Sequence, residues 1–446
     1  MPEVSKKMVQ RVHHPEPSRR IAGEVTISLS KFSKLQKEVK NIADFKEKIT
    51  DSLGKEVTEV LEIVLGGAIA LEASDIHIEP LEEEAKIRSR IDGILQDVLF
   101  IEKKIYETFL SRIKLLSGLK LNITDRPQDG RFSIIIEKTA IEIRSSALPA
   151  EHGESIVLRI LNPKSLIDME TLGLRKDLSE IFKKEIKKPN GMIIITGPTG
   201  SGKTTTLYAF LKKIQKPEIK IITIEDPIEY HLEGISQTQT APEKGYDFAS
   251  GLKSIMRQDP DVVLVGEIRD LETANIALQA ALTGHLVFTT LHTNDAAGTV
   301  ARIQSLGEKP ANIAPAINLA VAQRLIRKVC KKCAKFENPL AEEFKKIKKG
   351  LNFLKIKFPK ITATTKIPRA VGCQNCNSTG YRGRTGIFEA FLVDDEMEKF
   401  ILTSPSIAAL KEKAIKKGMV TMKQDGLIKV LEGITTVEEL ERIVGE

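Results

Sequence analysis

Residues 197–206 read GPTGSGKTTT, directly after the apolar run Ile193-Ile194-Ile195-Thr196. A glycine-rich loop that leaves a buried strand and runs into a helix turns its backbone N–H groups inward. The helix N-terminus beyond it favours anions. The spacing Gly197-x-x-x-x-Gly202-Lys203-Thr204 is that of a phosphate-binding loop. Gly197, Pro198, Thr199, Gly200, Ser201, Gly202, Lys203, Thr204 and Thr205 are therefore the expected cradle of a nucleoside triphosphate. In it Lys203 reaches the β and γ phosphates, and the Thr204 hydroxyl ligates Mg²⁺. The loop leaves open what the released energy moves.

The flanking sequence fits the α/β fold that such a loop requires. From Leu178 onward a helix, the strand MIIIT, the loop, the helix TTTLYAFLKKIQ and the strand KIITIED follow one another. The apolar runs VVLVGE and LVFTTLHT come later, with helical stretches between them. Strands alternating with helices indicate a largely parallel sheet. Upstream, VTEVLEIVLGGAIALEA has helical period. SDIHIEP alternates as a strand does, and AKIRSRIDGILQDVLF reads as two strands around an Asp92-Gly93 turn. A helix at 103–118 and the strand pair RFSIIIEKTAIEIRSSAL follow. The expected organisation is a tail or short helical lead-in at 1–54, an α+β domain at 55–160, a linker at 161–176 and the nucleotide domain at 177–446. The last stretch, 390–446, is mostly helical, with a capping-box pattern from Thr435 to Glu438.

Two carboxylate-rich stretches can complete the site. IEDPIEY supplies Glu225, and DPDVVLVGEIRD supplies Glu267, each at the end of an apolar strand. A hydrolase needs one carboxylate to help hold Mg²⁺ and another group to orient the attacking water. Spacing alone does not assign the two roles. His285 and His292 bracket the run LVFTTL; the expected role is that of a phosphate sensor, since an imidazole loses its γ-phosphate hydrogen bond after hydrolysis.

The four cysteines, Cys330, Cys333, Cys373 and Cys376, form two Cys-x-x-Cys pairs. Two such pairs bring four thiolates to one structural Zn²⁺ site, in an insertion placed at 328–380. The 39 residues between the pairs carry nine Lys, one Arg and three Glu, so most of the net charge of +8 sits on this arm. A solvated face is the default for such a run; contact with anionic headgroups or an acidic partner on the cytoplasmic membrane face is the sharper reading. Absent tryptophan and 5% aromatics argue against a stacking platform for single-stranded nucleic acid. No apolar run approaches the roughly 20 residues that span a bilayer, and the first residues lack the apolar core of a signal peptide. The expected location is the cytosol.

The phosphate loop, IEDPIEY, LVGEIRD and TGHLVFTTLHTND occur in that order. Together they resemble the secretion ATPase superfamily of type II secretion and type IV pilus systems. SDIHIEP, RPQDGRF and SALPAEHGESIVLRIL are similar to the domain that precedes its motor. The resemblance implies a RecA-like P-loop NTPase motor domain, preceded by a small α+β (PAS-like) domain and carrying a zinc-binding insertion and a helical C-terminal part. It matches Glu225, Asp226 and Glu229 to an acidic box whose first Glu activates water. It matches Glu267 to the Walker B acid on Mg²⁺, and His285 and His292 to a histidine box. It matches Arg131 and Arg144 to basic residues that contact nucleotide phosphates when the domains close, with Arg126 and Arg159 nearby and LNPKSLID as the hinge.

Hydrolysis of ATP by a homo-hexamer is what the resemblance implies. The motor would be cytoplasmic and peripheral to the inner membrane, acting on a platform protein to add pilin-like subunits. The four cysteines point to the assembly or secretion branch rather than to pilus retraction. The short segment 1–54, where relatives have a longer docking domain, makes a competence-type pseudopilus motor a variant. The rival from another class is a DNA-translocating or transfer ATPase, against which the scarce aromatics weigh.

Overall fold

The computed structural model describes residues 23–445 apart from 353, 355, 360 and 363. The first 22 residues of the expected lead-in lie outside the described residues. The chain divides into two compact units, Met1–Leu161 and Asn162–Glu446.

The first unit holds β1 (Glu24–Ile27), α1 (Leu29–Glu38), α2 (Ile42–Thr50), α3 (Val57–Ala70), β2 (Asp75–Pro80), β3 (Glu84–Ile91) and β4 (Ile94–Glu102). Then come α4 (Lys103–Leu116), β5 (Gln128–Ile136), β6 (Thr139–Ala150) and β7 (Gly153–Leu161). The seven strands form one sheet in the order β1-β5-β6-β7-β2-β3-β4, antiparallel except for β1 beside β5. Period-2 alternation gives this sheet two faces. In β6, Ile141, Ile143 and Ala147 are buried with Phe45, Leu61, Phe109 and Ile113 of the helices, while Glu142, Arg144 and Ser146 point the other way. The Asp92-Gly93 turn between β3 and β4 has both residues at positive φ, 51° and 83°, as a two-residue hairpin requires.

Residues 24–50, expected as a lead-in separate from the α+β domain, are part of its sheet and core. Val25 and Ile27 of β1 and Phe32, Phe45 and Ile49 of α1 and α2 are buried in the same cluster as β5 and β6. The physical reason is an edge: without β1, the main-chain groups of Ser133 to Ile136 on β5 would go unpaired.

The second unit opens with α5 (Lys176–Glu185), β8 (Gly191–Thr196), α6 (Lys203–Ile214), β9 (Ile221–Glu225), β10 (Ser236–Gln239), α7 (Phe248–Met256) and β11 (Val262–Val265). It continues with α8 (Leu271–Leu282), β12 (Leu286–Leu291), α9 (Gly298–Ser305), α10 (Pro310–Ala316) and β13 (Ile317–Val329). An arm of β14 (Lys335–Glu337), α11 (Ala341–Leu351) and β15 (Ile367–Arg369) precedes β16 (Tyr381–Leu392). Helices α12 (Asp395–Leu402), α13 (Ile407–Lys416), α14 (Met422–Leu431) and α15 (Val437–Val444) complete it. The main sheet runs β10-β9-β11-β12-β8-β13-β16, parallel except for β16 against β13.

This sheet is apolar on both faces, as a parallel sheet covered by helices must be. Met192 and Ile194 of β8 face a core with Leu252 of α7, Leu278 of α8 and Leu427 of α14. Ile193 and Ile195 face the opposite core with Phe182 of α5 and Phe210 of α6. Strands β13 and β16 are not legible as strands in the sequence reading; their paired main chains extend the sheet by two strands beyond the loop-bearing β8.

The expected linker at 161–176 docks onto the second unit for much of its length. Met169 and Leu172 are buried in the α5–α6 core, Asp168 pairs with Lys212 at 2.7 Å, and Glu170 pairs with Lys213 at 2.6 Å. The apolar Met169 and Leu172 explain the docking, because a free linker would leave them in water.

Candidate nucleotide and metal sites

Parallel strands present their carboxyl ends to one side of the sheet. There β8 delivers the loop, β9 ends in Glu225, β11 leads to Glu267 and β12 leads to His292. Gly197 has φ 150° and Gly202 φ 85°, values that side-chain-bearing residues avoid. The first turn of α6 starts at Lys203, so its backbone N–H groups point into the loop. The Lys203 ammonium donates to the carbonyls of Gly197 (2.8 Å) and Pro198 (3.2 Å), folding back over the cradle. Burial holds this amine below its ordinary range, opposed by the charges of Glu267 and Glu229. Ser201 is buried within the loop, and its hydroxyl has no hydrogen-bond partner among the described residues. Pro198, Thr199 and Gly200 are exposed, and Thr204 and Thr205 are half-buried at the mouth. A cradle of inward N–H groups, a poised ammonium and an orphan hydroxyl suits a polyphosphate.

The two carboxylates differ in their surroundings. Glu225 is 3% exposed. Its carboxylate accepts from the Tyr208 hydroxyl, from Thr223 Oγ1 (2.5 Å) and from Gln237 Nε2 (3.2 Å). Burial pushes its pKa up, against those three donors. Burial and three donors thus enclose this carboxyl. Glu229, four residues on and half-buried, belongs to the acidic pair whose charge is felt at Lys203. Asp226 is exposed and lies 3.6 Å from Arg269.

Glu267 stands at the loop side of the sheet, paired with Arg269 and 3.4 Å from His292 Nε2. Burial and the Lys203 charge depress the His292 pKa, so the ring is neutral near pH 7 and can donate one N–H to Glu267. Hydroxyls tie this corner to the loop: Thr293 N donates to Thr196 Oγ1 at 2.7 Å, and Thr290 Oγ1 donates to the Gly266 carbonyl at 2.8 Å.

His285 does not join this group. It precedes β12 at the end where Leu286 pairs with Gly191, whereas the loop leaves β8 at the other end, where Leu291 pairs with Thr196. The strand between separates the histidines by roughly 20 Å. His285 Nδ1 meets the Ala280 carbonyl at 3.1 Å, a local contact at the end of α8. The two histidines expected at one site are thus apart, with His292 at the loop end of β12 and His285 at the other, because two residues bracketing one strand lie at opposite edges of its sheet.

In the first unit Arg131 of β5 lies directly opposite Arg144 of β6, which lies opposite Arg159 of β7. Like charges in register are unfavourable unless anions intervene. Asp75 accepts from Arg159 Nε at 3.0 Å and Glu142 from Arg144 Nε at 3.3 Å.

The four cysteines converge at the root of the arm, where β13 ends and β16 begins. All four Sγ atoms lie within 4.8 Å of one another. The Cys330–Cys373, Cys333–Cys376 and Cys373–Cys376 sulfurs are 3.9, 3.8 and 3.7 Å apart. A tetrahedral ion with bonds of about 2.3 Å places its sulfurs about 3.8 Å apart, whereas a disulfide needs about 2.05 Å. The N–H groups of Cys373 and Gly380 point at Cys376 Sγ at 3.2 and 3.3 Å, a second shell suited to a thiolate. The donor set fits zinc.

A family model described as Type II/IV secretion system protein matches residues 52–442. The chain is 42% identical over 430 residues to the Type II secretion system ATPase E of Vibrio cholerae, covering 96% of this chain and 83% of that protein. It is 43% identical over 378 residues to the Type IV pilus assembly ATPase PilB of Thermus thermophilus, covering 84% of this chain but 42% of that protein. Among solved structures it is similar to the pilus retraction motor PilT with bound ADP, with a TM-score of 0.56 and 26% identity over 86% of this chain and 96% of that one. The DotB ATPase of Legionella pneumophila, at a TM-score of 0.62 and 22% identity over 86% of this chain and 94% of that one, shares the fold.

Proposed function

Because the chain belongs to the Type II/IV secretion system protein family, we propose that it is an ATPase whose turnover drives type II secretion or type IV pilus assembly. The single observation that carries the chemistry is the gathering of the phosphate loop, Glu267 and His292 at one end of a parallel sheet. Lys203 and the N–H groups of α6 would hold the β and γ phosphates, and Thr204 with Glu267 would hold Mg²⁺. When bound, that ion supplies charge neutralisation at the transferred phosphoryl group. We assign the orientation of water to Glu229, whose charge reaches Lys203, in place of Glu225, which is buried beneath Tyr208, Thr223 and Gln237. His292 would report loss of the γ-phosphate through its bond to Glu267.

The reading extends to a RecA-like motor in a homo-hexamer, a preceding α+β domain of PAS-like type, and zinc on the four cysteines. Arg131 and Arg144 are proposed phosphate contacts, on the family resemblance and on their concentration of like charge in one register row. The location would be the cytoplasmic face of the inner membrane, against a platform protein that passes the stroke to pilin-like subunits. No helix among the described residues is long and apolar enough to cross a membrane itself.

The test is hydrolysis by the purified full chain with Mg²⁺, against Lys203→Ala and with sizing in each nucleotide state. Turnover that falls at least about 100-fold in Lys203→Ala, with a ring-sized species, is the expected result. Turnover that rises severalfold on adding DNA would instead favour the translocase reading.

A further inference from the structure

Gln323 occupies a place in β13 that neither its strand nor the loop motif explains. The strand is otherwise apolar inside: Ile317, Leu319, Ala320, Val321 and Ala322 are buried. Gln323 is also buried, at 2% exposure. A buried amide without partners is costly, so its contacts are informative. They lead to the phosphate loop from below. Ala322 pairs with Thr196, the last residue of β8, so Gln323 lies under the point where the loop departs. Its Oε1 accepts from Thr206 Oγ1 at 2.8 Å, and Thr206, in the first turn of α6, is fully buried. A side chain at Gly202 would come within 2.9 Å of Gln323 Nε2, and one at Gly197 would collide with the Gln323 carbonyl. Both glycines that bound the loop thus rest on one residue.

We propose that Gln323 is a positioning residue for nucleotide binding: it forms the floor of the phosphate loop and, through Thr206, fixes the tilt of the α6 N-terminus toward the phosphates. It touches no nucleotide atom. The N–H groups that hold the phosphates have little latitude, since a displacement of about 1 Å from the productive geometry is expensive. The proposal rests on the nucleotide reading given above and deepens it.

The experiment measures binding of a fluorescent ADP with Mg²⁺, and steady-state ATP turnover, on the full-length chain. Gln323→Leu keeps much of the volume but not the acceptor; Thr206→Val removes the donor; Thr206→Ser keeps it. Each of the first two should weaken nucleotide binding about tenfold, the scale of one buried hydrogen bond. Turnover at saturating ATP should change less than about threefold, which a general loss of structure would not allow. Thr206→Ser should bind like the parent, and Gln323→Leu/Thr206→Val should be no worse than either single variant. Should Gln323→Leu fail to fold, the Thr206 pair reads the same bond from its other side. Binding within twofold of the parent in Thr206→Val, or single losses that multiply in the double variant, would overturn the proposal. A parent chain that binds no nucleotide would overturn the nucleotide reading as well, so the two failures are distinguishable.

Discussion

At the scale of single residues, Glu225 and Glu229 give the sharpest separation. Both are acidic and both lie in IEDPIEY; Glu225 is buried among three donors, whereas the half-buried Glu229 is felt by Lys203. Glu229→Gln should keep nucleotide affinity while turnover falls by about 100-fold or more. Glu225→Gln should act mainly on stability, and with a definite pH trend. Burial raises the Glu225 carboxyl above its ordinary 4.5. A carboxyl raised on folding binds its proton more tightly in the folded chain. Its stabilising contribution is therefore complete in acid and fades as pH climbs through the raised value. Gln at this position cannot ionise. The melting temperature of Glu225→Gln relative to the parent should therefore rise as pH climbs above the ordinary carboxyl value of 4.5. A flat difference across that range, or a Glu225→Gln chain that binds ATP but does not turn over, would return the catalytic role to Glu225.

At the scale of elements, one ion-pair network joins pieces far apart in sequence. Arg175, at the start of α5, reaches Asp425 of α14 at 2.9 Å. Asp425 is fully buried, pairs with Lys429 at 2.8 Å and accepts from the Phe388 N–H of β16 at 2.7 Å. Burial opposes the charge on Arg175, yet its two aspartates, Asp425 and Asp177, still raise its pKa. Removing one partner of such a set leaves a charge in the interior. Arg175→Met should destabilise the second unit by about 3 kcal/mol in urea, with little effect on the nucleotide site's geometry. An unchanged midpoint would show that Lys429 alone suffices. The last helix corrects a boundary. Its cap is Thr436, whose side chain accepts from Glu439 N, and not Thr435, whose hydroxyl donates to the Arg327 carbonyl. Glu439 then pairs with Arg327 and Arg442. Two adjacent threonines cannot be told apart as caps by local pattern when one of them is claimed by a distant strand.

On the scale of the whole molecule, the four-cysteine cluster and the phosphate loop belong to different parts of the second unit. The cysteines close the arm where β13 ends and β16 begins, and α11 of that arm packs Ile347 and Leu351 into the main core. Cys373→Ser should release the ion, lower the melting temperature by several degrees and loosen the arm, while the phosphate loop still binds nucleotide. One zinc per parent chain and none in the variant, by metal analysis, is the expected count. Loss of nucleotide binding together with the metal would mean that the arm supports the loop as well.

Much of this was legible in the residues themselves. The loop, the Glu267 strand, the cysteine pairs and the Asp92-Gly93 hairpin are local: each is a short run whose spacing already expresses the chemistry or backbone conformation it needs. Other features depend on which segments meet. Residue 27 joins the first sheet because β5 has an open edge. His285 is lost to the site because a strand has two ends, and Glu225 is enclosed by Tyr208 from α6 and Gln237 from β10. Gln323 carries no signature in its own strand; it acquires a role when parallel pairing with β8 sets it beneath Gly197 and Gly202. Burial and partner choice are properties of the assembled sheet, and a linear pattern carries them only where the partners are neighbours in the chain.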